Sequence, residues 1–432
     1  MSTADPAPLE PLHWRHLAPI WGHPYRGYQR LHARYGPTVA IDRPGRKPIV
    51  FTKDEDFATA CLVEHHDAFT RPLNIVTGIF RSLVGDAIVS SEGAQWQGRR
   101  QRGSRRIRGA TLEDDQVELL RRGLGELRDE VAANARGEVV DLLPAIERFT
   151  LTQSIRLVCG REIERGPELE RLHRAIQTIM GGTQQIADIR RQMFLYSVLP
   201  KARKILDAPL RRAIRPSFAL YAAYEPDPEV RELLIATFEN PSTALSWTLS
   251  LLGEHPEHLE RVRDEVARVD LIGDSSVTIA DIDGLAYTGA VIREALRLRP
   301  PIAYLSRRAT RDVAIGDVLI ERGTHVLVIP YCLHMDPERW PAPERFDPTR
   351  FLRADGSVST RGPAGGRLWS FGFGPRGCPG TRLALQLATA ALAVLARDFR
   401  WTSPAERARP LPTGRYPWNE KSPVWERLSR SA

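Results

Sequence analysis

Phe371-Gly372-Phe373-Gly374-Pro375-Arg376-Gly377-Cys378-Pro379-Gly380 runs almost directly into the near-apolar stretch Leu383 to Ala396, which only Gln386 and Thr389 interrupt. The stretch is too short to span a bilayer and reads as a buried core helix. A cysteine held in a glycine-rich turn at the mouth of such a helix is the feature from which the rest of the chain is best read.

The free amides and dipole at a helix N-terminus favour the ionised form of a thiol placed there. Gly374, Gly377 and Gly380 permit tight turns and close approach to a flat group. Phe371 can pack beneath the loop, and Arg376 can pair with a carboxylate. Together these are what a thiolate ligand to haem iron needs: an ionised sulfur, a backbone that lets it approach, and a cation for the porphyrin carboxylates. A lone cysteine is usually a buried small side chain. Five constrained positions within ten residues fit that reading poorly.

The loop resembles the haem-binding signature FxxGxRxCxG of the cytochrome P450 family, and the resemblance runs from roughly Gly36 to the C-terminus, most strongly from Glu232 onward. It implies a mainly α fold with small β-sheets (α+β), in which a long central oxygen-activating helix crosses the haem. It further implies haem b (iron protoporphyrin IX) ligated by Cys378, with Phe371, Arg376 and Gly380 as haem contacts. O2 is the implied co-substrate, and electrons come from NAD(P)H through a redox partner.

Further matches extend outward. Glu294 and Arg297 stand three apart in the apolar helix Ala286 to Leu298, which Pro300-Pro301 stops. They resemble the family's ExxR pair. Pro348-Thr349-Arg350-Phe351 resembles the motif that adds a third charge, Arg350, to form a structural network. Trp96 and Arg100 match a WxxxR helix whose side chains reach the haem propionates. Arg307 matches another propionate ligand, and His334 is a weaker candidate for the same region.

The oxygen-activating segment departs from the family's pattern. Ala236-Thr237-Phe238-Glu239-Asn240-Pro241 keeps the acid, Glu239, but has Thr237 at the glycine and Asn240 at the alcohol. An amide can donate a hydrogen bond but cannot readily relay a proton. Pro241 has no N–H for the carbonyl of Thr237, so the helix is expected to open there. The alternative is that Thr243, one turn on, takes over the alcohol's role. Glu239, Asn240 and Thr243 are therefore the candidate catalytic residues. Two chemistries fit: hydroxylation or epoxidation with altered proton supply, or oxidative coupling, cyclisation, desaturation or peroxide-driven oxidation.

By position in the family pattern, Asn74, Ile75, Val76 and Phe80 should roof the substrate pocket. Ala236 and Phe238 should face it, with Ala303, Tyr304 and Leu305 lining it and Trp418 closing it. The pocket implied is apolar and suits a hydrophobic small molecule, in keeping with secondary-metabolite biosynthesis.

Bulk properties agree. The chain has 432 residues, 42% hydrophobic and 26% charged, which is ordinary for a folded protein with a sizeable core. It is expected to form a single domain over 1–432, with 1–35 as lead-in and 36–432 as catalytic fold. Cys61, Cys159, Cys332 and Cys378 lie far apart, which speaks against a disulfide framework and for a reducing compartment. Met1 to Pro19 is polar and proline-rich, so neither a signal peptide nor a membrane anchor is expected, and the location expected is cytoplasmic. The formal charge of +8 includes the run Arg99, Arg100, Arg102, Arg105, Arg106 and Arg108. No nucleic-acid motif accompanies that run. In the family this helix lies where redox partners dock, so an acidic ferredoxin is the expected partner.

Overall fold

The helical period read from the sequence is realised as a helical body flanked by small sheets. The structure, a computed structural model, describes residues 6–17, 20, 24–43, 45–72, 86–108, 114–135, 139–187, 203–274, 276–302, 304–402 and 425–430. Its helices are α1 (Pro24–Tyr35), α2 (Glu55–Thr59), α3 (Gly93–Arg108), α4 (Asp114–Asn134), α5 (Leu143–Ser154), α6 (Pro167–Ala187), α7 (Arg203–Tyr224), α8 (Pro228–Glu254), α9 (Pro256–Val266), α10 (Ile279–Asp283), α11 (Ala286–Leu298), α12 (Pro330–His334) and α13 (Thr381–Asp398). The strands are β1 (Thr38–Arg43), β2 (Arg46–Thr52), β3 (Phe69–Thr70), β4 (Val139–Asp141), β5 (Leu305–Ala309), β6 (Val313–Ile315), β7 (Val318–Ile320), β8 (His325–Val328), β9 (Phe399–Thr402) and β10 (Trp425–Arg430).

The expected hairpin around Gly45 is β1–β2. It joins β8, β5 and β3 in a five-stranded sheet of order β1-β2-β8-β5-β3, antiparallel except for β2 against β8. A second sheet orders β4-β10-β9, and β6–β7 form a separate hairpin.

Helix α8 is the central beam. Asp227 caps it, accepting a hydrogen bond from the Glu229 N–H at 2.8 Å, and Pro228 occupies its first turn, where a missing N–H costs nothing. From Ser242 to Gly253 every residue is buried, so this half is enclosed on all sides, packed by α5, α11 and α13. The opening expected at Pro241 is not found, and the helix continues unbroken through it. Side chains around the proline bond back to helix carbonyls: Thr237 Oγ1 to Leu233 O at 2.7 Å, and both Ser242 Oγ (3.0 Å) and Thr243 Oγ1 (2.9 Å) to Glu239 O. Tight packing around the second half holds the helix on the far side of the proline.

Helix α11 fastens the segment that carries Cys378. Glu294 and Arg297 are fully buried, and Arg297 grips the carboxylate with two bonds, Nε to Oε2 at 2.7 Å and Nη2 to Oε1 at 2.8 Å. Arg350 adds its Nε at 3.4 Å, and the Asp347 N–H donates to the same oxygen at 2.9 Å. Arg350 also donates to the carbonyls of Pro341 and Ala342, and Ala342 has φ 47°, the one positive value of a non-glycine residue among the described residues.

His334 belongs to this knot and not to a propionate site. Its Nδ1 meets the Arg297 carbonyl at 2.9 Å, and its Nε2 accepts the Trp369 N–H at 2.8 Å. Burial first, then the Arg297 charge, lowers its pKa to about 3, so the ring is neutral and Nε2 is free to accept. Ser370 Oγ donates to Leu296 O at 2.7 Å. The start of the cysteine loop is thus bolted to the end of α11.

Replacing Glu294 with Ala would strand two buried guanidiniums, at a cost of about 3–5 kcal/mol. We expect denaturant unfolding of Glu294→Ala to show a loss of that size, while Arg353→Ala, at an exposed position of the following loop, changes little. An unshifted midpoint for Glu294→Ala would rule out the buried network.

Candidate active site

Three glycines were expected to shape the cysteine loop, and the backbone selects differently. Gly374 has φ 72°, and a Cβ there would fall 2.1 Å from the Leu62 carbonyl oxygen, so both conformation and space demand glycine. Gly372, not singled out before, has φ 66°. Gly377 and Gly380 have negative φ, and a Cβ on Gly377 would crowd Gly374 O at 3.1 Å. The Gly377 N–H donates to Gly374 O at 2.9 Å and the Cys378 N–H to Phe371 O at 2.8 Å, which sets the sulfur three residues ahead of the first residue of α13.

Cys378 opens onto a cavity of about 400 Å³ between the loop and the middle of α8. The residue is exposed to this space, and desolvation by the surrounding loop pushes the thiol's pKa up. The Gly380 N–H, Thr381 and the Arg100 charge act in the opposite direction. The far wall holds Ala236, Glu239, Asn240 and Pro241. Glu239 is buried, and Asn240 donates from Nδ2 to Ala236 O at 3.4 Å.

Two expected residues turn away. Thr243 is fully buried, donates to Glu239 O and is not part of the cavity wall. Phe238, also fully buried, sits edge-on to His173 with centroids 6.0 Å apart; two residues from both Ala236 and Asn240, it lies on the other side of the helix from the cavity. Tyr304 and Leu305 do line the cavity. Asn74, Ile75, Val76, Phe80, Ala303 and Trp418 lie outside the described residues.

One edge of the cavity is strongly cationic. Trp96, Arg100, Phe371, Arg376 and Gly380 line it as expected by position, and Arg71 joins them. Arg100 donates to Gly377 O, while Arg376 pairs with Glu92 and lies over the Trp96 ring at 4.3 Å. Arg307 is buried beside them, with its Nη1 on the Ser306 carbonyl at 2.9 Å. Burial lowers Arg307 to about 9, with Arg71 and Arg376 adding repulsion. Burial likewise lowers Arg376 to about 10, with Glu92 opposing and Arg71 and Arg100 reinforcing the fall.

Four guanidiniums drawn together against the carboxylate of Glu92 form an electrostatic strain that an anionic ligand would relieve. A macrocycle bearing two carboxylates and needing one sulfur ligand fits this donor set. Arg71, Glu92 and Glu232 were missed in the sequence. Arg71 follows no recognisable pattern, and Glu92 precedes the WxxxR match by four residues. Glu232 lies one helical turn before Ala236, the one detectable signal.

Comparison with known proteins agrees with this arrangement, a cysteine loop and a long buried helix facing each other across one cavity. The chain matches the cytochrome P450 family model over residues 6–211 and 227–422. It is 37% identical to cyclooctatin synthase of Streptomyces melanosporofaciens across 43% of this chain and 39% of that one. With cytochrome P450 81F4 of Arabidopsis thaliana it shares 24% identity over 90% of this chain and 85% of the relative. With valine N-monooxygenase 2 of Manihot esculenta it shares 35% over 42% and 33% respectively. The chain thus spans about two fifths of the first relative's length and a third of the last. It belongs to the cytochrome P450 family. Among the described residues, no helix is long and apolar enough to cross a membrane.

Proposed function

We propose that the chain is a single-domain haem–thiolate monooxygenase that oxidises a hydrophobic small molecule in secondary metabolism, with Cys378 as the iron ligand. The observation that carries this reading is the shared cavity: Cys378 on one wall, Glu239 and Asn240 on the other, and guanidiniums along one edge. Haem held by these residues would supply iron chemistry for O2 activation, with electrons drawn from NAD(P)H through a redox partner.

Each residue's part follows from its place. Arg100, Arg307 and Arg376, with Arg71, take the propionates and are relieved of mutual repulsion. Trp96 supports Arg376 from below. Phe371 and Gly380 shape the loop around the sulfur. Tyr304, Leu305 and Ala236 form apolar walls that orient the substrate and exclude water. Glu239 holds the proton supply within the helix wall. Asn240 positions a hydrogen bond at the cavity surface without relaying a proton, so water at Glu239 or a hydroxyl on the substrate delivers protons instead. Thr243 is turned from the cavity, and Thr237, which lines it, donates its hydroxyl proton to Leu233 O, so neither is set to replace the missing alcohol. That favours a second reading at the same site, in which coupling, cyclisation or desaturation leaves no oxygen in the product.

Electrons enter on the side of α3. Arg100 and Arg105 line a depression of about 630 Å³ that reaches Cys378 from outside the main cavity. Arg99 and Arg102 on the same helix are partly neutralised by Glu229, at 3.5 and 2.5 Å. An acidic ferredoxin in the cytoplasm suits this face.

Reduced, haem-loaded protein should show the red-shifted carbon monoxide Soret band of sulfur-ligated haem, and Cys378→Ser should abolish it. A wild-type spectrum without that band sinks the reading. Asn240→Thr should change product ratio or the fraction of electrons lost to uncoupled reduction of O2, and unchanged turnover and products would remove Asn240 from the mechanism. Reduction by an acidic ferredoxin should slow steeply as ionic strength rises from low salt, because exposed charges are screened beyond about 10 Å at 0.1 M. A rate indifferent to salt would exclude electrostatic docking.

A further inference from the structure

Glu232 has no place in the chemistry described so far. It is 4% exposed, yet it lines the cavity beside Arg71, Ile88 and Val89. One carboxylate oxygen, Oε1, accepts the Val89 N–H at 2.8 Å. The other, Oε2, is buried with no hydrogen-bond partner among the described residues. A carboxylate left half-satisfied in a mainly apolar wall is costly unless something brings it a donor. Burial raises its pKa to about 7, with the Val89 N–H, the Arg71 charge and the Ile88 N–H acting against that rise.

Its position along α8 defines what could bring the donor. Glu232, Ala236 and Asn240 are spaced four apart and share the cavity face of the helix. Eight residues of helix separate Glu232 from Asn240, a span of about 12 Å. We propose that Glu232 is the polar anchor of the substrate, accepting a hydrogen bond from an O–H or N–H group set about one such span from the carbon that is oxidised. The substrate class is then an elongated, largely apolar molecule with a donor head. A purely hydrocarbon substrate would leave Glu232 uncompensated. Discrimination by a buried polar group can be large, because the analogue lacking the donor strands it again. This inference rests on the haem–thiolate reading above.

The test uses haem-loaded protein whose reduced carbon monoxide spectrum has already established sulfur ligation, so a failure of that reading is seen separately. Binding of decanol, methyl decyl ether and decyltrimethylammonium is followed by the shift of the haem absorption band. Decanol should bind about tenfold or more tightly than the ether, as a hydrogen bond to a charged group implies. Glu232→Leu should erase that preference. Glu232→Gln, which keeps the bond from Val89 but turns an amide NH2 toward the ligand, should lower that preference while leaving the fold and the ether's binding intact. Equal binding of decanol and ether in the wild type overturns the proposal, as does a preference that survives in Glu232→Leu. Tightest binding of the quaternary cation, which has no donor, would also overturn it, by showing attraction to charge alone.

Discussion

The clasp of Arg297 on Glu294 is the constraint on which the rest of the site depends. Both groups are fully buried, so each is tolerable only while the other is present. The knot is not confined to the two. Arg297 also donates to the His334 carbonyl, His334 returns a bond to the Arg297 carbonyl, and the same ring accepts the Trp369 N–H. Through that chain a charge pair on one helix determines where the cysteine loop begins. Desolvation makes the arrangement all-or-none, which suits a loop that must hold a sulfur at a fixed place.

The opposite wall follows another logic. Helix α8 must carry polar side chains to a cavity while packing against α5, α11 and α13. It does so by bonding hydroxyls to its own carbonyls on the packed side and leaving Glu239 and Asn240 on the open side. The helix runs on through Pro241 with its second half packed on all sides.

Charge is distributed unevenly around this frame. Guanidiniums crowd one edge of the cavity, where burial and mutual repulsion lower their pKa values. At another place Glu232 keeps one carboxylate oxygen, Oε2, without a hydrogen-bond partner among the described residues. Between them lie the apolar walls. A ligand bearing anions at one site and a ligand bearing a donor at the other would each relieve a separate electrostatic cost.

By itself the sequence determined the elements and their chemistry. The motif spacing around Cys378, Glu294–Arg297 and Arg350 identified the family, and the period of Ala286 to Leu298 matched the helix to the residue. Local rules suffice there, because caps, prolines and side-chain period act over a few residues. Only the tertiary structure decided direction. Whether Thr243 or Asn240 meets the cavity, whether His334 serves a propionate or a loop, and whether Pro241 breaks its helix all depend on what packs against them. Arg71, Glu92 and Glu232 were invisible for the same reason. Their role comes from neighbours tens to hundreds of residues away, and no spacing within one segment encodes such a meeting.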